Sequence, residues 1–103
     1  MNVAELEKKN NNVVKVKGVL DSDTIMPLIS NGYQWIDSLT KIIFDFIDVT
    51  ESDSVALALL LAWIRYAKKS NKKIFYQHIP DTMIEIAVAC RLDKIFSFQV
   101  DHK

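Results

Sequence analysis

The feature that most constrains this chain is an uninterrupted apolar segment of ten residues, Val55–Ile64. A bilayer crossing needs about 20 apolar residues, so this segment is predicted to be a buried helix of a globular core. Leu and Ala dominate the segment, and both residues favour helices. Basic residues then follow at Arg65, Lys68 and Lys69, where the dipole at a helix C-terminus favours positive charge. The sequence therefore predicts a core helix that ends near Lys69.

A helix that is apolar on every side is unusual in a chain of 103 residues. One face can pack on a sheet, and the remaining faces need another cover. Other helices of the same chain are the more common cover, because apolar runs usually belong to the core. The alternative is that part of the helix contacts another protein.

A shorter apolar run precedes this helix and is predicted to be a buried strand. Its apolar members are Ile42, Ile43, Phe44 and Phe46. β-branched and aromatic residues favour strands, and a strand that is apolar on both faces is typical of the centre of an α/β sheet. The acidic and hydroxyl-bearing residues from Asp48 to Ser54 are predicted to form the loop between this strand and the helix.

The remaining segments alternate between strand and helix patterns. A strand is predicted at Val13–Leu20, where Val and Lys alternate, and a weaker strand at Val3–Glu7 precedes it across an asparagine-rich turn. The capping residues of Asp21–Thr24 open a helix whose apolar residues recur at helical spacing between Ile25 and Leu39. Another strand is predicted at Lys72–Ile79.

A third helix is predicted after that strand. Thr82 and Glu85 have the spacing of a capping box, with Thr82 as the N-cap. The residues that share one face of this amphipathic helix are Ile84, Ala87, Val88 and Arg91. Cys90 is expected to pack as a small hydrophobic residue. The residues expected to complete the core after the helix are Leu92, Ile95, Phe96 and Phe98.

These elements predict one α/β domain over residues 1–103 with the order ββαβαβα. Helices that separate strands favour parallel pairing, whereas the asparagine-rich turn favours antiparallel pairing of the first two strands. We therefore expect a mixed sheet of four to five strands with about three helices.

Charge and composition exclude several classes of function. The chain has 13 basic and 13 acidic residues and no basic block, which argues against nucleic acid as a partner. A single cysteine excludes an internal disulfide, and the N-terminus lacks the apolar core of a signal peptide, so a cytoplasmic protein without direct membrane insertion is expected. There is no glycine-rich phosphate-binding loop and no Cys/His cluster. The sequence favours a non-enzymatic interaction module without metal or cofactor.

The start of the core helix is the candidate site. Ser52, Asp53 and Ser54 all favour the N-cap position, but only one residue can occupy it. One interpretation is simple capping. The other is that a spare hydroxyl, at Ser54, stands at a helix N-terminus, where the dipole and free N–H groups would favour an added phosphate.

Three stretches resemble the pattern of the STAS domain family: Gly18–Asp21 (GVLD), Asp45, and Asp53–Leu61 (DSVALALLL). The family pattern has a strand that ends in a GELD-like sequence, a strand that ends in Asp, and a helix that begins with Asp, Ser or Thr, Gly and Leu. The resemblance covers roughly residues 13 to 96 and implies the STAS fold. Ser54 occupies the family's Ser/Thr position, whereas Val55 and Ala56 replace the usual glycine.

Within the family, the run Leu57–Leu61 and the stretch Asp21–Leu28 are most similar to MlaB-type members, the small cytoplasmic subunits of bacterial phospholipid-transporting ABC complexes. This resemblance implies a subunit that binds the cytoplasmic ATPase of the transporter, supports its assembly or activity, and lies at the inner membrane through that complex. The residues expected at the contact, together with the first helix, are Ser52, Asp53, Ser54, Asp21, Asp23 and Thr24.

The same resemblance offers an alternative function. Other STAS domains are anti-sigma factor antagonists, in which a partner serine kinase phosphorylates the serine at the helix start. In that interpretation Ser54 is a phosphorylation switch that controls binding to an anti-sigma factor. Val55 and Ala56 argue against a kinase that needs a close approach to the backbone at this point.

Overall fold

The computed structural model describes residues 3–92 and 94, which form a four-stranded sheet and three helices. The elements, in chain order, are β1 (Ala4–Asn10), β2 (Val13–Leu20), α1 (Ile25–Ser38), β3 (Lys41–Ser52), α2 (Ala56–Lys69), β4 (Lys73–Gln77) and α3 (Asp81–Ala89). The predicted α/β class and the order ββαβαβα are therefore confirmed.

The strands lie in the order β1-β2-β3-β4. The β1–β2 pair is antiparallel, and the β2–β3 and β3–β4 pairs are parallel, so the sheet is mixed as expected. A helix connects each parallel pair, so the carboxyl ends of β2, β3 and β4 point towards the same edge of the sheet. The loops that lead into the three helices start from that edge, where ligands of parallel sheets usually bind.

The strand β3 is longer than predicted, because it runs through the acidic and hydroxyl-bearing residues that were expected to form a loop. Pairing with β2 continues to the Leu20–Ser52 neighbours, across two irregularities in register. The prediction failed because the strand's end is decided by the hydrogen bonds that β2 supplies, and these can override the local preference of the residues.

An aromatic cluster forms the centre of the core. The rings of Phe44 and Trp63 stack with centroids 3.9 Å apart, and both side chains are fully buried. The indole N–H of Trp63 donates to the carbonyl of Ile29 at 3.2 Å, and the hydroxyl of Tyr76 donates to the carbonyl of Leu60 at 2.7 Å. Each buried polar atom of these rings therefore has a partner, which removes the cost of its burial.

Lys72 holds the carboxyl end of α1 from a distant part of the chain. Its ammonium group donates to the carbonyls of Ile36 at 3.3 Å, Asp37 at 3.1 Å and Leu39 at 2.9 Å. A cation at a helix C-terminus satisfies carbonyls that lack intrahelical partners and interacts favourably with the helix dipole. The residue thus links the start of β4 to the end of α1.

Two predictions about α3 are wrong. The helix begins at Asp81 after Pro80, no side chain caps it, and so the expected capping box does not form. Met83 and Ala87 are its buried residues, whereas Ile84, Val88 and Cys90 are exposed. The helix starts two residues earlier than predicted, with Pro80 in place of Thr82 at the N-cap, and the helical spacing is unchanged. The error therefore lies in which of two apolar faces packs on the core.

Leu92 is partly buried against the core, as expected. Ile95, Phe96 and Phe98, which were predicted to complete the core, lie outside the described residues. No helix in the described part of the chain has both the length and the apolar character needed to span a membrane.

Candidate functional site

Two adjacent loops bring the predicted site residues together at the carboxyl edge of the sheet. One loop joins β2 to α1 and contains Asp21, Asp23 and Thr24, and the other joins β3 to α2 and follows Ser52. The backbone N–H of Asp53 donates to the carbonyl of Leu20 at 3.2 Å, which ties the second loop to the end of β2. The two groups of residues that the sequence places some 30 positions apart are therefore neighbours in the fold.

The β2–α1 loop is held from inside by Thr24. Its hydroxyl donates to the carbonyl of Val19 at 2.7 Å and accepts from the N–H of Asp21 at 3.1 Å. The carboxylate of Asp21 in turn accepts from the N–H of Asp23 at 2.9 Å. Thr24 is buried and supports the loop, whereas Asp23 is exposed on its surface.

Asp53 stabilises the start of α2. Its carboxylate accepts from the N–H of Val55 at 2.9 Å, and its carbonyl accepts from the N–H of Ala56 at 3.0 Å. Val55, the residue directly before the helix, already has helical angles of φ −67° and ψ −20°. The N-cap position is Val55 and no side chain caps the helix, so the prediction that Ser52, Asp53 or Ser54 is the N-cap is wrong. Asp53 instead closes a turn directly before the helix.

Ser54 is exposed at the same helix start. Its carbonyl accepts from the N–H of Leu57 at 3.2 Å, and its hydroxyl has no hydrogen-bond partner among the residues that the structure describes. Val55 and Ala56, which replace the family's glycine, pack against or within the core. The Ser54 hydroxyl is therefore available at the surface.

A shallow cleft of about 410 Å³ opens between these loops. The residues that line it are Val19, Leu20, Asp21, Thr50, Glu51, Ser52, Asp53 and Thr82. Three of these residues are acidic and none is basic, so the cleft favours cationic groups of a partner. Ser54, Asp23 and Thr24 do not line it.

Five of the lining residues were not predicted as site residues: Val19, Leu20, Thr50, Glu51 and Thr82. Thr50 and Glu51 were assigned to the loop before the helix, and their part in the cleft depends on the extension of β3. Thr82 follows the third parallel strand, and a general rule could have identified it: the loops after parallel strands meet at one edge of the sheet.

Asp45, which the resemblance singled out, lies inside the sheet and is 1% exposed. One of its oxygens, Oδ1, accepts from the N–H of Ile47 at 3.0 Å and lies 2.9 Å from Nδ1 of His78. The other oxygen lies 3.7 Å from the ammonium of Lys9. The sequence did not predict the contact between His78 and Asp45, because the two residues are 33 positions apart. No group of three or more potential metal ligands occurs among the described residues.

A family model with the description "Mlab, STAS domain" matches residues 3–98. The chain belongs to the MlaB-type STAS domain family. No curated protein matches the chain.

Two solved structures share the fold of this STAS domain. The anti-sigma factor antagonist SpoIIAA in its unphosphorylated form is 17% identical, with a TM-score of 0.70 over 96% of this chain and 86% of that chain. The phosphorylated form of SpoIIAA, a Bacillus cell fate determinant, is 18% identical, with a TM-score of 0.69 over 96% of this chain and 89% of that chain. At these identities the likeness shows the STAS fold alone.

Proposed function

We propose that this STAS domain is a non-enzymatic subunit that binds the ATPase of a phospholipid-transporting ABC transporter and supports its assembly or activity. The match of residues 3–98 to the MlaB-type family model carries the proposal. In this function the chain is cytoplasmic and associates with the inner membrane through the transporter complex. The whole chain, residues 1–103, acts as one domain.

The geometry of the carboxyl edge supports a protein contact there. Ser54 presents an unoccupied hydroxyl, and Asp53 beside it is exposed. Asp21, Ser52 and Asp53 line the acidic cleft, and Asp23 is exposed next to it. In the proposed complex these groups contact the ATPase, while buried Thr24 keeps the β2–α1 loop in position.

In the proposed mechanism, the bound STAS domain supports the ATPase by shifting the equilibrium between its conformational states. A bound subunit changes an equilibrium only if it binds one state more tightly than the other. We therefore expect this STAS domain to have unequal affinity for the nucleotide-bound and nucleotide-free ATPase.

The test is a binding measurement with the ATPase subunit from the same genome. Ser54→Ala removes one hydroxyl from the proposed contact, and we expect affinity to fall about 2- to 10-fold, the worth of one hydrogen bond of about 0.5–1.5 kcal/mol. The thermal midpoint should stay unchanged, because the hydroxyl makes no hydrogen bond with the described residues. Thr40→Ala removes an exposed hydroxyl that lies before β3, at the opposite edge of the sheet, and serves as the matched control.

If the unmodified chain does not bind the ATPase, the proposed function is wrong. If it binds and Ser54→Ala has the same affinity, the hydroxyl does not belong to the contact.

One observation favours a second candidate, an anti-sigma factor antagonist with a phosphorylation switch. The Ser54 hydroxyl stands at a helix N-terminus, where the dipole favours a phosphate, and the fold is that of SpoIIAA. A phosphate there would add negative charge and change the docking of an anti-sigma factor. Incubation with a serine kinase from the same genome, followed by mass spectrometry of the wild type and Ser54→Ala, would detect a serine-dependent phosphate. Its absence would exclude this candidate.

A further inference from the structure

The outward face of α2 changes character along its length. Residues at helical spacing from Ser54 are Ala58, Leu61 and Arg65, which therefore lie on one side of the helix. Ser54, Ala58 and Arg65 are exposed, and Leu61 is half-buried. This outer face of α2 thus runs from a hydroxyl, across small apolar surface, to a cation about 16 Å further along the axis.

A groove between α1 and α2 adjoins the cationic end of this face. It has a volume of about 290 Å³ and is lined by Tyr33, Ala62, Arg65, Tyr66 and Lys69. The rings of Tyr33 and Tyr66 stack with centroids 4.1 Å apart, which fixes one wall of the groove. A preformed aromatic wall lowers the entropy cost of binding.

Asp37 stabilises that wall and forms no ion pair with Arg65 or Lys69 in the described chain. The hydroxyl of Tyr66 donates to its carboxylate, 2.9 Å from either oxygen. This hydrogen bond raises the pKa of Tyr66, so the side chain stays a neutral phenol at physiological pH. The contact that the structure gives the Asp37 carboxylate is thus the Tyr66 hydroxyl.

Arg65 and Lys69 have no ion pair or side-chain hydrogen bond with any residue that the structure describes. Lys68 beside them is likewise exposed and unpaired within the described chain. The opposite end of α2 lies near the acidic cleft lined by Asp21 and Asp53. The formal charge of zero therefore conceals a separation of charge between the acidic cleft near the start of α2 and the cations near its end.

We infer that a protein bound along the outer face of α2 places a carboxylate-bearing segment in the groove, where Arg65 and Lys69 pair with it and the Tyr33–Tyr66 wall packs against it. The guanidinium of Arg65 can bind a carboxylate through two hydrogen bonds. Tyr and Arg are enriched in protein interfaces, and both residue types line this groove. The inference rests on the proposed function and adds the acidic character of the ATPase segment that docks on α2.

The experiment reverses the charge of the groove in the full chain. Arg65→Glu with Lys69→Glu is compared with Lys8→Glu with Lys73→Glu, a matched pair of exposed lysines on β1 and β4. We expect the first pair to weaken binding to the ATPase subunit about tenfold or more and the second by less than about threefold. Affinity in the wild type should fall as salt is raised, and this dependence should be weaker in Arg65→Ala with Lys69→Ala.

The outcomes separate this inference from the proposed function. If the wild type binds the ATPase and the groove reversal has no greater effect than the control pair, the inference is wrong while the function stands. If the wild type does not bind the ATPase, both are wrong.

Binding to vesicles of phosphatidylcholine with a minority of phosphatidylglycerol is measured in parallel. If the groove reversal abolishes vesicle binding and leaves ATPase binding intact, the groove faces lipid and the inference is overturned.

Discussion

At the scale of single residues, the burial of the Asp45 side chain carries a desolvation cost. Its side chain is 1% exposed, and its Oδ2 atom has no hydrogen-bond donor among the described residues. A buried carboxylate is costly unless partners compensate it, and His78 and Lys9 are the neighbouring side chains that do so. His78 also has a φ of 57°, a left-handed conformation that costs energy in any residue with a Cβ. The bond to Asp45 therefore offsets strain in the turn that leads to α3.

Two substitutions of His78 separate the contact with Asp45 from the backbone conformation of the turn. Both His78→Ala and His78→Gly remove the contact with Asp45 and should destabilise the fold, but glycine adopts the left-handed conformation without the steric cost. We expect His78→Gly to be more stable than His78→Ala by about 1 kcal/mol in urea unfolding. Equal stability of the two variants would show that the left-handed backbone conformation at position 78 does not affect the free energy of unfolding.

The helix start shows how far reasoning about single residues extends. Composition predicted that one of three residues is the N-cap, whereas the structure places Val55 there without a side-chain cap. Asp53 accepts from the N–H of Val55 in the turn before the helix. The position of the helix start could not be read from the sequence, because β3 extends to Ser52 through its pairing with β2. Ser54 therefore lies one position before the N-cap, where it is exposed.

At the scale of elements, α1 and α2 pack closely at Gly32. A glycine inside a helix costs about 1 kcal/mol relative to alanine, so the sequence suggests a weak point in α1. The structure supplies the reason for it, because a methyl group at position 32 would overlap the indole ring of Trp63. Gly32 thus lowers the helix propensity of α1, but it allows α1 and α2 to approach closely.

We therefore predict that Gly32→Ala lowers stability by about 1–3 kcal/mol, the range for overpacked cores, despite the better helix propensity of alanine. Asn31→Ala, at an exposed position of the same helix, should be neutral or slightly stabilising. Urea unfolding followed by tryptophan fluorescence measures both. A gain in stability for Gly32→Ala would contradict the packing argument.

Two elements show why periodicity alone is insufficient. The helix α3 has apolar residues on more than one face, and Ile84 and Val88 remain exposed while Met83 and Ala87 pack inwards. In a short helix with two apolar faces, the residue pattern does not determine which face is buried. The packing of the neighbouring elements determines it. The length of β3 was missed for a related reason, since its second half forms a strand through pairing with β2.

At the scale of the whole molecule, acid stability should depend on a pair that joins the central strands. The ammonium of Lys15 on β2 lies 2.6 Å from the carboxylate of Asp48 on β3. This hydrogen bond is the main cause that lowers the pKa of Asp48, and it raises the pKa of Lys15. A depressed carboxylate pKa stabilises the fold above the ordinary range of aspartate, about pH 4, and the contribution is lost as pH falls through the folded value.

Lys15→Met should therefore raise the pKa of Asp48 towards its ordinary value, as measured by NMR titration of the side chain. The difference in thermal midpoint between wild type and Lys15→Met should be greatest near neutral pH and diminish below about pH 4. High salt should also reduce the difference, because both groups are accessible to solvent. A difference that persists unchanged in acid would mean that Lys15 acts through packing of its alkyl chain.

The sequence by itself determined the α/β class, the order of the elements, the core helix and the family, because these follow from local periodicity and from the motifs around Asp21 and Ser54. It also identified both loops of the candidate site. Only the tertiary structure decided the extent of β3, the buried face of α3, the partner of His78, and the cleft and groove at opposite ends of α2. These features depend on contacts between residues far apart in the chain, and a local pattern carries no information about which distant group supplies a hydrogen bond or fills a gap.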